Sequence, residues 1–73
     1  MFAVRMKITD NRGTLAIITK TSKAKTVKRA RNNCLEMACR EGMRASDPPN
    51  WIEATVIETY YREKGGSWSR VLG

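Results

Sequence analysis

Phe2, Val4, Met6 and Ile8 alternate with Ala3, Arg5, Lys7 and Thr9. An apolar period of two predicts a strand with one buried face. Asp10-Asn11-Arg12-Gly13 follows as a turn, because Asp and Asn side chains bond their own backbone and Gly13 can take a positive φ. Residues 14–20 are rich in β-branched side chains and predict the returning strand of a hairpin. Leu15 with Ile17, or Ala16 with Ile18, suits its inward face equally well.

After Lys20 the period changes. Thr21 or Ser22 supplies an N-cap oxygen, and Val27, Cys34 and Ala38 then fall on one line at 100° per residue. Ala24, Ala30, Leu35 and Met37 flank that line, which predicts an amphipathic helix over roughly residues 22–44. Small residues along its centre allow a close approach to a sheet. Glu36 and Arg40 form an i,i+4 pair on its outer side, and Gly42 weakens or ends its last turn. Asp47-Pro48-Pro49-Asn50 forbids further helix and makes a loop.

Trp51 to Tyr61 predicts a long strand, with Ile52, Ala54 and Val56 on one face and Trp51, Glu53, Thr55, Ile57, Thr59 and Tyr61 on the other. Glu63-Lys64-Gly65-Gly66-Ser67 is a hairpin turn, and Trp68 to Leu72 a short closing strand. The order is β-β-α-β-β. A helix that carries the chain back across the sheet lets the third strand lie beside the first. The expectation is a single α+β domain over residues 1–73, two layers deep, with a fully antiparallel sheet of order 2-1-3-4 and the helix on one face. The other sheet face, with Arg5, Lys7, Glu53, Thr55, Ile57 and Tyr61, is a mixed candidate contact surface.

Charge sharpens this picture. The formal net charge is +7, yet residues 1–31 hold nine Lys or Arg and one Asp, while residues 32–73 hold five basic and six acidic residues. Lys20, Lys23, Lys25, Lys28, Arg29 and Arg31 put six cations into twelve residues with no acid among them. Such a lopsided field fits a polyanion or an acidic protein surface. On the predicted helix several of these cations occupy the first two turns, where the helix dipole favours acids. The mismatch becomes useful when an anion sits there. Lys25, Lys28, Arg29 and Asn32 share the solvent side of the wheel. Lys23 and Arg31 lie nearer the apolar stripe, Lys20 adjoins the patch, and Arg12 at the hairpin tip is a more distant candidate. A solvated basic face that only confers solubility is the bland reading of the same residues.

Other chemistry is sparse. There is no His for acid–base work near neutral pH. No nucleophile elbow and no Gly-rich loop between strand and helix occurs. Glu53 and Glu58, five apart on a strand, are expected on opposite sides. Cys34 and Cys39, five apart on a helix, diverge by about 140° and cannot pair there; two cysteines without His are too few for a zinc site. The expectation is a protein without catalysis, cofactor or metal. Two free thiols fit a reducing compartment. No apolar run approaches the roughly 20 residues of a membrane span, and the start does not read as a signal peptide, so the cytoplasm is the expected location. Trp51, Tyr60, Tyr61 and Trp68 are available for base stacking, although packing is the commoner task for aromatics in strands.

The layout resembles that of small phage and mobile-element proteins, in particular anti-CRISPR inhibitors of the type I-F surveillance complex. The residues that carry the likeness are Ser22-Lys23-Ala24-Lys25 opening the helix, Val56-Ile57-Glu58-Thr59 in the following strand, and Gly66-Ser67-Trp68 opening the last. The likeness implies a phage-encoded inhibitor, in the cytoplasm of the host cell, that docks on an effector complex and blocks DNA recruitment. Many such inhibitors are acidic DNA mimics. This chain has the opposite charge, so it would bind an acidic patch, engage bound RNA, or contact DNA together with the complex, and no family site residue carries over. The layout is also similar to the small β-sheet DNA-arm readers of phage integration systems. The first reading is therefore an inhibitor docking on a host protein or ribonucleoprotein; the alternative is a DNA- or RNA-binding protein touching the phosphate backbone with little sequence specificity, and a structural accessory protein is the third.

Overall fold

The computed structural model describes residues 1–10, 12, 13, 15–44 and 53–72, the side chains of 42–44 apart. The expected loop at 47–50, the opening of the third strand at 51 and 52, Asn11 of the first turn and Thr14 at the expected start of the second strand lie outside the described residues. Four strands and one helix follow in order: β1 (Phe2–Thr9), β2 (Leu15–Ser22), α1 (Val27–Arg44), β3 (Glu53–Tyr61) and β4 (Ser69–Arg70). The sheet is antiparallel with order β2-β1-β3-β4, as the sequence pattern predicts.

β1 is the central strand, and its alternation sets both layers. Val4 and Met6 are fully buried beneath α1, while Arg5 and Lys7 are exposed on the opposite face. Among the described side chains of the helix, Ala30, Cys34 and Ala38 are buried. Their small side chains let α1 lie close over the sheet. Val4, Met6, Cys34 and Ala38 form the core, with Ile8, Ile18, Leu35, Met37, Ala54 and Val56 packed around it. Register settles the inward face of β2. Ile18 is opposite Met6 and Ala16 opposite Ile8, which leaves Leu15 and Ile17 exposed on the outer face.

Three features depart from the sequence pattern. The helix begins at Val27, not at residue 22, because β2 runs on until Ser22 pairs with Phe2. The cap is Thr26, whose Oγ1 accepts the Arg29 N–H at 3.2 Å. Ser22 instead anchors the crossing: its Oγ accepts from the Ala24 N–H at 3.1 Å and from Asn33 Nδ2 at 3.4 Å. The second departure is in β3. Its register against β1 jumps from Met6 opposite Val56 to Arg5 opposite Glu58, so Ile57 is an extra residue, as in a β-bulge. Beyond it the faces exchange. Thr59, opposite Val4, is buried under the helix at 1% exposure, and Tyr61, opposite Phe2, packs ring to ring with it at 4.9 Å. Neither lies on the outer face that simple alternation predicts.

The last strand is also shorter than residues 68–72. Two residues pair with β3, and the Val71 N–H extends the contact by donating to the Thr59 carbonyl at 2.8 Å. The turn before it closes through the Gly66 N–H and the Glu63 carbonyl at 2.8 Å, with Gly65 at φ +79°. That φ is one an L side chain rarely adopts.

A core this small makes each buried side chain count. Met6→Ala is expected to destabilise the fold by about 3 kcal/mol. Ile17→Ala, on the open face, should stay within about 0.5 kcal/mol of the parent. Urea denaturation of both variants checks the contrast.

Candidate nucleic-acid interface

Strand pairing sorts the expected basic residues by position. Phe2 pairs with both Ser22 and Tyr61, so the end of β2, the start of α1 and the end of β3 meet at one end of the sheet. The hairpin tip with Arg12 belongs to the other end, about 23 Å away along β1. There the Arg12 N–H donates to Asp10 Oδ1 at 2.9 Å. Arg12 is therefore not part of a common patch.

Lys20 and Arg31 are also withdrawn from it. Lys20 is opposite Val4 and so faces the helix, where its Nζ lies 2.6 Å from Glu41. Arg31 is half-buried, and its Nε donates to the Thr59 hydroxyl at 2.9 Å, tying α1 to β3. The sequence reading of Arg31 as partly a packing residue fits this geometry.

What remains is a tighter group. Lys23 and Lys25 sit in the connection before the helix, Lys28 and Arg29 in its first turn, and Asn32 one turn further on, all exposed. The first turn contains no acid. Among the described residues, none of these four cations has an ion-pair partner. Lys23 also shares a surface hollow with Met1, Arg62, Glu63, Lys64 and Gly65 of the β3–β4 turn. Arg62 and Lys64 thus extend the basic end. Sequence reasoning missed them because their half of the chain is net acidic; the hairpin geometry that brings this turn beside the β2–α1 connection is what reveals them.

The outer sheet face carries a second cluster. Arg5 Nη1 lies 3.3 Å from Glu58 Oε1, and the Tyr60 hydroxyl donates to the other carboxylate oxygen. The hydrogen bond from Tyr60 is the main cause holding the Glu58 carboxyl below its usual range, with the charges of Arg5 and Arg70 adding to it against partial desolvation. The same bond raises the Tyr60 phenol, helped by desolvation and by the Glu58 charge. The bulge also corrects the expected placement of the two glutamates: Glu53 is opposite Thr9 and Glu58 opposite Arg5, so both lie on the outer face. They are about 13 Å apart along β1, too far to share one reacting group.

Cys34 is buried and Cys39 half-buried, both as free thiols. Burial raises the Cys34 pKa, with a smaller opposing effect from Lys20. Among the described residues no helix is long and apolar enough to cross a membrane. No protein-family model, no curated protein and no solved structure matches this chain.

The Glu58–Tyr60 pair has a defined pH window. A carboxyl held below its unfolded value contributes stability above about pH 4.3, which is lost as pH falls through the folded value. A phenol raised above its unfolded value contributes below about pH 10, and this is lost as pH rises through the folded value. Tyr60→Phe should move the Glu58 carboxyl up toward the ordinary range, read by carbon-detected NMR titration. An unchanged Glu58 titration would show that the hydrogen bond is not what holds it.

Proposed function

We propose that this chain is a non-catalytic binding protein that contacts nucleic-acid phosphates through its basic end. The observation that supports it is the group of exposed cations Lys23, Lys25, Lys28 and Arg29, none with an ion-pair partner among the described residues. Arg62 and Lys64 continue the field from the neighbouring turn. Point charges on flexible stems suit a phosphate backbone, where the contact positions the protein and carries no sequence information by itself. DNA and RNA backbones are equally suited.

A second reading places the same end on a nucleic-acid-handling host complex, as a phage-encoded, anti-CRISPR-like inhibitor would require. Its support is the outer sheet face, which exposes Leu15, Ile17 and Ile57 to solvent. Apolar side chains in this position suit a protein contact beside the phosphate contact.

Direct phosphate binding predicts affinity for duplex DNA that falls with salt at a log–log slope of about −4, for four or five neutralised phosphates. Lys25, Lys28 and Arg29 changed together to Glu should abolish that binding while far-UV circular dichroism stays at the parent signal. Retained binding in the folded triple variant would remove the basic end from the interface. Failure of the parent to bind any DNA or RNA at low salt, with capture of a large complex from a defence-competent lysate, would favour the docking inhibitor instead.

A further inference from the structure

At the basic end of the outer face, a diagonal row of residues from β2, β1 and β3 continues onto the segment just before β4. Thr19 of β2, Ala3 of β1, Tyr60 of β3 and Trp68, just before β4, line one open hollow of about 270 Å³. Ala3 is the reason a hollow exists. Its neighbours on this face of β1 are Arg5 and Lys7, and a long side chain at position 3 would fill the gap between Thr19 and the two aromatic rings. Ala3 is only 7% exposed although it belongs to the open face, so it forms the floor. Trp68 remains 40% exposed, with the Arg62 guanidinium over its ring at 4.7 Å from the centroid. Arg70 is directly opposite Tyr60 in the ladder, and Arg5 stands two positions from Ala3. Among the described residues two acids are near: Glu58, already engaged by Arg5 and the Tyr60 hydroxyl, and Glu63, which lines the adjoining hollow with Lys23 and Arg62.

We propose that this hollow stacks an unpaired base of single-stranded nucleic acid against Tyr60 and Trp68, with Arg62 and Arg70 taking the adjoining phosphates. This inference rests on the phosphate-binding reading above and specifies which form of nucleic acid the chain prefers. Two aromatic walls over an alanine floor match a flat ring in size and chemistry. The flanking arginines match the charge that a nucleotide carries and an apolar peptide lacks. Stacking on aromatic side chains tolerates any base, because every base has a π-face. A base held within a duplex cannot enter, since both of its faces are already stacked. Arg62 belongs to both surfaces, lining the hollow shared with Lys23 while covering Trp68. A strand whose base occupies the row is thereby led to the cations before the helix.

The test compares a 12-nucleotide oligo(dT) and oligo(U), of about the length one small sheet domain covers, with a DNA duplex, all at low salt. Trp68→Ala should weaken binding of the single strands by about tenfold or more and change duplex binding far less. Trp68→Phe, which keeps an aromatic ring, should retain most of the affinity. In a Trp51→Phe chain, where Trp68 is the remaining tryptophan, its fluorescence should be quenched as oligo(dT) saturates. Single-strand affinity unaffected by Trp68→Ala, or Trp68 fluorescence unmoved at saturation, overturns the stacking site. Duplex binding without single-strand binding overturns it too, but leaves the phosphate contact standing. If no nucleic acid binds, both fall. If Trp68→Ala loses a captured protein partner while keeping its single-strand affinity, the hollow is a protein contact and the inference is wrong.

Discussion

Ile57 is one residue more than the antiparallel ladder between β1 and β3 requires. The extra residue makes β3 lose its alternation, so side chains before and after it follow opposite rules. Ala54 and Val56 reach the core by one parity, and Thr59 and Tyr61 reach the helix side by the other. Glu58 and Tyr60 are turned outward by the same step. Without the bulge, Tyr60 would lie beneath α1 and Thr59 would face solvent. Arg31 would then lack the hydroxyl that holds it to β3, and the outer face would lack its aromatic wall. The composition of both surfaces depends on this one irregularity.

The bulge also bears on how charge is distributed. A sequence cluster of six cations does not become a surface cluster of six, because each side chain must follow its own element. Lys20 belongs to a strand whose even positions face the helix, so it meets Glu41. Arg31 lies on the buried flank of α1 and finds Thr59. The cations that stay exposed are those with no packing surface to follow: Lys23 and Lys25 in an irregular connection, and Lys28 and Arg29 on the solvent side of the first helical turn. These gain little for the fold where they stand. The first turn is the place where a cation opposes the helix dipole. Neither capping nor packing accounts for their placement.

Sheet order, strand direction and the helix face were legible because each rests on periodicity. β1 alternates without a fault, and Ala30, Cys34 and Ala38 mark the buried line of the helix through their size. The helix start was not legible. Thr21, Ser22 and Thr26 can all cap, and the choice among them falls to long-range pairing of Ser22 with Phe2, which local sequence does not encode. The bulge was hidden for a similar reason. Residues 53–61 contain β-branched or aromatic side chains at both parities, so either face reads as plausible until β1 fixes the register. Arg62 and Lys64 could have been suspected from the hairpin that carries them, but only their proximity to Lys23 joins them to the basic end.

The basic end and the outer face are best understood as one surface bent around the edge of the sheet. Met1, Lys23 and the β3–β4 turn lie at the end where β1 begins and β2 and β3 finish, and the aromatic row lies on the first residues inward from it. Arg62 is common to both; it directly follows β3, and its backbone still exchanges hydrogen bonds with Met1. A ligand that needs only charge could stop at the helix start. A ligand with flat apolar rings spaced along a charged backbone can use the row as well, and its backbone then follows Arg62, Lys23 and Lys64, which outnumber Glu63 at that end. Duplex nucleic acid offers the charge but not the free rings, and an apolar peptide could enter the hollow but offers no regular charge. Of these three chemistries, a single strand is the one whose two parts both find a counterpart on this fold.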